Sequence, residues 1–246
     1  NFVKIARDVR EQRRMQSIAA TVETMNNIGY VFAGVQHEIG NAVTALKIAV
    51  KLLGNNLRDA SRARMDEIVA LSKAELQRIE DLLNSMRAFN MYERVNLQMV
   101  KMAEFLPECM RLMQNNCRQR GIALEIECKD PALRVRADAR LLHHVMLNLI
   151  INAIDAVNGH PAPAIRVVAG VRHEYAELRV EDNGCGMDAR LQQEIFKPFV
   201  TTKPHGTGLG LVLARNMLAK MNGTIVVQSV TNAGTTVLVT LMREIT

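Results

Sequence analysis

The 246-residue chain has no tryptophan, three tyrosines and six phenylalanines, so aromatic residues make up only 4% of it. That leaves no platform on which bases could stack, and the 31 Lys and Arg, set against 25 Asp and Glu, are scattered rather than gathered. The net charge of +6 therefore reads as that of a mildly basic soluble protein, with no nucleic acid among its partners. The four cysteines (Cys109, Cys117, Cys128, Cys185) form no C-x-x-C pair and have no histidine at zinc-ligand spacing. This excludes the usual zinc sites and leaves reduced thiols, as expected of a cytoplasmic chain. No run of 18 apolar residues occurs, so no segment is expected to span a membrane. The chain opens on Asn1 and is read as a cytoplasmic piece of a longer protein, with any membrane anchor lying upstream of it.

What is present is an ordinary globular balance, 48% hydrophobic and 23% charged, over a length that suits about two domains. Residues from about 10 to 54 read as one long helix. Ile28, Phe32, Val35, Ile39, Ala42, Leu46, Ala49 and Leu53 alternate steps of four and three, an a/d seam. Met15, Ile18, Val22 and Met25 carry the seam upstream, with a phase slip between Met25 and Ile28. Gly54-Asn55-Asn56 stops the helix, and a second one over about 62–89 carries Met65, Ile68, Leu76, Ile79, Leu83 and Met86 as its seam. Two seamed helices form an antiparallel hairpin whose seam is half covered, so a homodimeric four-helix bundle is expected.

Beyond about 90–96 the pattern changes to α+β. Helices are expected over about 104–120, with Pro107 in the first turn and Gly121 as C-cap, and over 139–157, with Asp138 as N-cap. A short helix near 189–195 and another over 208–221 follow. Strands are expected over 122–127, 164–171 and 176–181, and a closing hairpin over 225–230 and 235–241. Helices on one face of a mixed sheet, an α/β sandwich, is the architecture that results.

His37 stands two residues from Val35, about 200° round a helix, and so points away from the seam to solvent. Glu38 is its neighbour and Asn41 lies one turn on, on the same face. A neutral exposed imidazole is a nucleophile, and a carboxylate beside it can orient it or take its proton. Asn148 and Asn152 sit i, i+4 on an otherwise apolar helix that also carries Asp155. Burying amides there is costly without partners, and a carboxamide oxygen is a hard ligand suited to Mg²⁺. Asp182 at a strand end, followed by the turn through Gly184 and Gly186, can accept a hydrogen bond from an exocyclic amine such as that of adenine. Gly206-Thr207-Gly208-Leu209-Gly210 opens a helix and lets backbone amides approach phosphate. The preceding stretch, 196–205, has the character of a lid, with Phe196 and Phe199 as anchors and Lys203 as a phosphate contact.

In this order the segments resemble the boxes of the sensor histidine kinases: His37 to Asn41 the H-box, Asn148 to Ala156 the N-box, Asp182 to Gly186 and Gly206 to Gly210 the two glycine boxes, and Phe196 to Phe199 the F-box. Gly234-Thr235 resembles the final Gly-Thr that touches the adenine side. The resemblance implies the end of a PAS-like sensor and signalling linker over 1–14, a dimerisation and phosphotransfer hairpin over 15–92, and an ATP-binding domain over 97–246. It implies that His37 accepts the γ-phosphoryl of ATP, that Glu38 assists proton transfer, and that Asn41 positions water for dephosphorylating a partner. It also implies that Asn152 holds Mg²⁺ and that Asp182 binds adenine. The implied partners are a second copy of the chain, an upstream sensor domain and the receiver domain of a response regulator, whose Asp takes the phosphoryl group in two-component signal transduction. The sandwich is shared with the gyrase, Hsp90 and MutL ATPases, which usually have a catalytic Glu where Asn148 stands. Ala42 replaces the proline that commonly follows the asparagine of the H-box, so the kink that proline would provide is expected to be absent and mid-helix Gly40 to supply local bending instead. Two other readings stay open: a water-activating ATPase, against which the absence of Glu at 148 argues, and a non-catalytic nucleotide-binding scaffold, against which the full glycine set argues.

Overall fold

The computed structural model describes residues 34–54, 61–91, 95–203 and 206–244. The chain divides into two compact units that part between Met86 and Arg87. The upstream seam, the Met25–Ile28 phase slip and the PAS-like segment over 1–14 lie outside the described residues, as does the 55–60 turn.

The first unit is a pair of helices, α1 (residues 34–54) and α2 (Arg62–Met91). On α1 the expected seam is the covered one: Val35 and Ala42 are buried, and Ile39, Leu46, Ala49 and Leu53 are half-buried. On α2 the seam differs from the expectation. Met65, Ile68, Ser72, Glu75, Ile79 and Leu82 are the covered positions, again in steps of three and four, whereas Leu76 and Leu83 are 51% and 43% exposed. They form a second heptad stripe with Val69, one position round the helix from the first. Apolar spacing alone does not say which stripe a partner helix covers. α1 runs without a break through Gly40, whose carbonyl accepts a 2.8 Å hydrogen bond from Thr44 Oγ1, a back-bond of the kind that bends helices slightly.

The second unit contains β1 (Gln98–Lys101), α3 (Met102–Gln119), β2 (Ala123–Cys128), β3 (Arg134–Ala137), α4 (Ala139–Ala156), β4 (Ala164–Arg172) and β5 (Tyr175–Asp182). It continues with α5 (Ala189–Glu194), α6 (Gly210–Lys220), β6 (Thr224–Val230) and β7 (Gly234–Met242). Five strands form one mixed sheet in the order β2-β4-β5-β7-β6, in which only β2 and β4 run parallel. α3, α4 and α6 pack on it, and the core between them contains buried Leu106, Met110, Leu141, Met146, Ile150 and Leu218 from the helices and Ile165, Val167, Leu178 and Val239 from the strands. The opposite face is charged, with Arg166 bridging Glu125 and Glu127 of β2, and Arg179 bridging Glu177 and Glu181. The expected α+β sandwich is therefore the fold.

Three details depart from the sequence reading. β1 and β3 were not expected. They are four residues each and form a separate antiparallel ribbon. α3 begins at Met102, so Pro107 lies inside the helix rather than in its first turn. α6 begins at Gly210 because Gly208, at φ +65°, is left-handed and cannot be helical. All four cysteines are free, and burial pushes the Cys109 thiol up to about 12, helped by the nearby Glu108 carboxylate.

Candidate functional site

The floor of the site is set by strand register. Leu124, Ile165, Asp182, Thr235 and Ser229 stand side by side across β2, β4, β5, β7 and β6. Period-two alternation puts this row on one face of the sheet, with Ile165 in the core, so Asp182 is a carboxylate on the helix-covered side. Burial pushes its carboxyl above the usual carboxylate range, and the N–H groups of Gly184 (2.9 Å to Oδ1) and Thr235 offset that only in part. Thr235 is nearly buried, and its hydroxyl meets Ser229 Oγ at 2.9 Å. Ser229 Oγ also donates to the Gly234 carbonyl and accepts from the Met187 N–H. Gly234 has to be glycine: its φ is +102°, and a Cβ there would collide with the Asp182 carbonyl.

The wall is α4. Asp138 caps it, accepting from the N–H groups of Arg140 and Leu141. Asn148, Asn152 and Asp155 follow at i, i+4 and i+7 on one side. The turn through Gly184 packs on the end of this helix. The Cys185 N–H donates to the Ala156 carbonyl at 3.0 Å, and a Cβ on Gly184 would strike that carbonyl. The turn that follows Asp182 and the end of α4 thus meet.

The lid closes from the other side. Lys203 Nζ lies 2.8 Å from Asn152 Oδ1 and 2.6 Å from Asp155 Oδ2. Lys203, expected as a phosphate contact, thus contacts the wall. Arg215 lies 5.3 Å from the centroid of the Phe196 ring, and the Phe199 N–H donates to the Gly208 carbonyl. Leu209 is fully buried and fixes the start of α6, Thr207 Oγ1 accepts from its N–H, and Gly206 closes a turn on Lys203. At Gly210 a Cβ would lie 3.5 Å from Asn148 Oδ1, so the glycine arch runs close against the wall.

Asn148, Asn152, Asp155, Lys203 and Gly210 thus line one wall, and Asp182, Gly184, Gly186 and Thr235 its adjoining floor. Gln192, Ser229 and Arg215 were missed by the sequence reading. Gln192 donates to the Ser229 carbonyl at 2.8 Å and accepts from its N–H, pinning α5 to β6 beside the floor.

His37, Glu38 and Asn41 belong to the other unit. His37 is exposed, as expected, and its Nδ1 lies 3.3 Å from the Asn41 amide nitrogen. Glu38 is held by Arg78 of α2, another residue missed by the sequence reading.

Residues 137–245 match the family described as histidine kinase-, DNA gyrase B- and HSP90-like ATPases. The signal transduction histidine-protein kinase AtoS of Escherichia coli K12 is 30% identical over 229 residues, which is 93% of this chain and 37% of AtoS. The sensor histidine kinase ZraS of the same strain is 28% identical over 246 residues, all of this chain and 52% of ZraS. The solved structure of histidine kinase ThkA in complex with the response regulator protein TrrA shares the fold. Its TM-score is 0.71 over 90% of this chain and 64% of that one, at 22% identity. Residues 137–245 are thus similar to the named ATPase family, and the chain is similar along nearly its whole length to part of the sensor histidine kinases AtoS and ZraS. It spans between about a third and a half of the length of these two curated relatives.

Proposed function

We propose that this chain is the kinase core of a two-component sensor, which phosphorylates its own His37 from ATP and passes the group to an Asp of a response regulator. The observation that carries the reading is the exposed His37 imidazole, hydrogen-bonded at Nδ1, in a chain whose residues 137–245 match an ATPase family and have Asn, not Glu, at 148. Without an acid there to activate water, the nucleophile has to come from elsewhere, and a side-chain imidazole supplies one.

In the proposed reaction Nε2 of His37 attacks the γ-phosphorus in line. The new bond is N–P, the bond broken is that to the β,γ-bridging oxygen, and ADP leaves with the electron pair. Glu38 takes the imidazole proton. Asp182 and Thr235 hold the base, and the arch 206–210 with Lys203 holds the phosphates. The wall suits a hard cation, because Asn152 Oδ1 and Asp155 Oδ2 converge on one positive charge, the Lys203 ammonium. Asn152 and Asp155 would hold Mg²⁺, which when bound neutralises phosphate charge.

The exposed stripe Val69, Leu76 and Leu83 is the feature that supports a homodimeric bundle. Asn41, beside the imidazole, suits the positioning of water in a phosphatase reaction on the regulator. An upstream sensor domain fits the greater length of the relatives. The reading is tested by incubating the chain and its His37→Gln variant with γ-labelled ATP. Acid-labile label on the parent and none on the variant is expected. Equal labelling removes His37 as the acceptor, and release of free phosphate with no labelled protein favours a water-activating ATPase.

A further inference from the structure

α1 carries three polar groups in one turn that the proposed reaction uses, and their hydrogen bonds describe an idle arrangement. The Asn41 amide nitrogen faces His37 Nδ1 at 3.3 Å. In this orientation of the carboxamide its nitrogen donates, so Nδ1 is the accepting nitrogen. A neutral imidazole has one N–H, which must then sit on Nε2, and Nε2 with a proton has no in-plane lone pair with which to attack.

Glu38 would reverse this if its carboxylate accepted from Nδ1–H, but it is committed elsewhere. Its Oε2 is in direct contact with Arg78 Nη2 of α2, 40 residues away in sequence. Both side chains are partly covered, at 29% and 26% exposure, so the pair is partly shielded from water. Among the described residues no hydrogen bond joins Glu38 to His37. The other charged groups of the covered α2 face near Arg78 are Glu75 and, just outside it, Asp81, which is engaged by Gln77.

We propose that Arg78 is a positioning residue that withholds Glu38 from His37 and so keeps the imidazole in its Nε2–H tautomer, with no lone pair at the attacking nitrogen, until the α1–α2 contact changes. Releasing Glu38 lets it accept from Nδ1–H. The proton leaves Nε2 through solvent and is regained at Nδ1, with no change in net charge, and the Nε2 lone pair is exposed. Arg78 thereby couples the packing of α2 on α1 to the reactivity of His37, since its guanidinium reaches Glu38 across the contact between the two helices. The inference rests on the reading of His37 as the phospho-acceptor, but its test does not need phosphorylation.

The experiment is long-range ¹H–¹⁵N correlation NMR on the whole chain with ¹⁵N-histidine, recorded where the imidazole is neutral, with His37 assigned by its loss in His37→Gln. The expected parent pattern is Nε2–H. Arg78→Gln moves His37 toward Nδ1–H, Arg78→Gln with Glu38→Gln returns it to Nε2–H, and Arg78→Lys keeps the parent pattern. Glu38→Gln alone leaves the tautomer unchanged, which keeps the idea testable even if Arg78→Gln fails to fold. A parent already in the Nδ1–H form, an Arg78→Gln variant with the parent pattern, or a shift in Glu38→Gln alone overturns it. The second readout is the initial rate of self-labelling, which Arg78→Gln raises severalfold. A slower rate in a folded variant overturns the withholding role. If no variant, nor the parent, labels at all, the kinase reading fails while the tautomer result stands.

Discussion

Lys203 places its ammonium 2.8 Å from the carboxamide oxygen of Asn152, so a lid residue rests on the helix that forms the wall of the site. Asp155 takes the same ammonium, but both charged side chains are more than a third exposed, so the ion pair alone is worth no more than about 1 kcal/mol. Lys203→Met removes this tether. Without nucleotide, limited proteolysis between Thr201 and Gly206 becomes faster by up to about fivefold, the population change that 1 kcal/mol allows. Cleavage at the parent rate would mean that the lid is held by Phe199 and Gly208 instead.

Asp182 is the residue for which stability and function are expected to part. Its folded-state pKa is raised, mainly by burial. A raised carboxyl contributes stability that is present below its unfolded pKa and is lost as pH rises through the folded value. At pH 7 the ionised side chain is therefore a net cost. Asp182→Asn removes that cost, keeping the melting temperature equal to or above that of the parent at pH 7, and the gap narrows on acidification to pH 4. The same variant weakens binding of an ATP analogue in calorimetry, because its one carbonyl oxygen is taken by the Gly184 N–H and an NH2 donor then faces the adenine amine. A variant that melts well below the parent at pH 7 contradicts the burial argument.

Gly234→Ala tests the floor from the backbone side. At φ +102° an alanine is strained by about 1–3 kcal/mol, and its methyl meets the Asp182 carbonyl besides. Chemical denaturation is expected to give a loss of at least that size, and nucleotide affinity falls with it. A variant of parental stability would mean that the β6–β7 turn adapts without moving Asp182.

The open stripe of α2 predicts association. Leu76→Glu with Leu83→Glu places two charges on a surface that a second copy would bury, and light scattering is expected to report a monomer from a dimeric parent. A doubly substituted chain that remains dimeric puts the interface elsewhere.

Much of this was legible in the residues. α4, with its Asp138 cap and its paired asparagines, follows from a strong apolar period and a capping residue next to it. The β6–β7 hairpin follows from alternation around a turn. β1 and β3 do not, because Gln98–Lys101 and Arg134–Ala137 are too short to establish a period. The covered seam of α2 was misread at Leu76 and Leu83 because Ser72 and Glu75, which are polar, occupy the inner stripe while leucines occupy the outer one. The partners of the candidate site's polar groups were the least visible part. Arg78 reaches Glu38, and Ser229 reaches Thr235, only through the pairing of distant elements, which no local spacing encodes.

The most direct test of the account is to map phosphoryl groups by mass spectrometry on peptides prepared at neutral to alkaline pH after incubation with Mg²⁺ and ATP. The account predicts one phosphoramidate, on the peptide that contains His37, formed at Nε2 and absent from the Asp182→Asn variant. A chain that turns ATP over with every His37 peptide unmodified, or that carries its phosphoryl group on another residue, would contradict it.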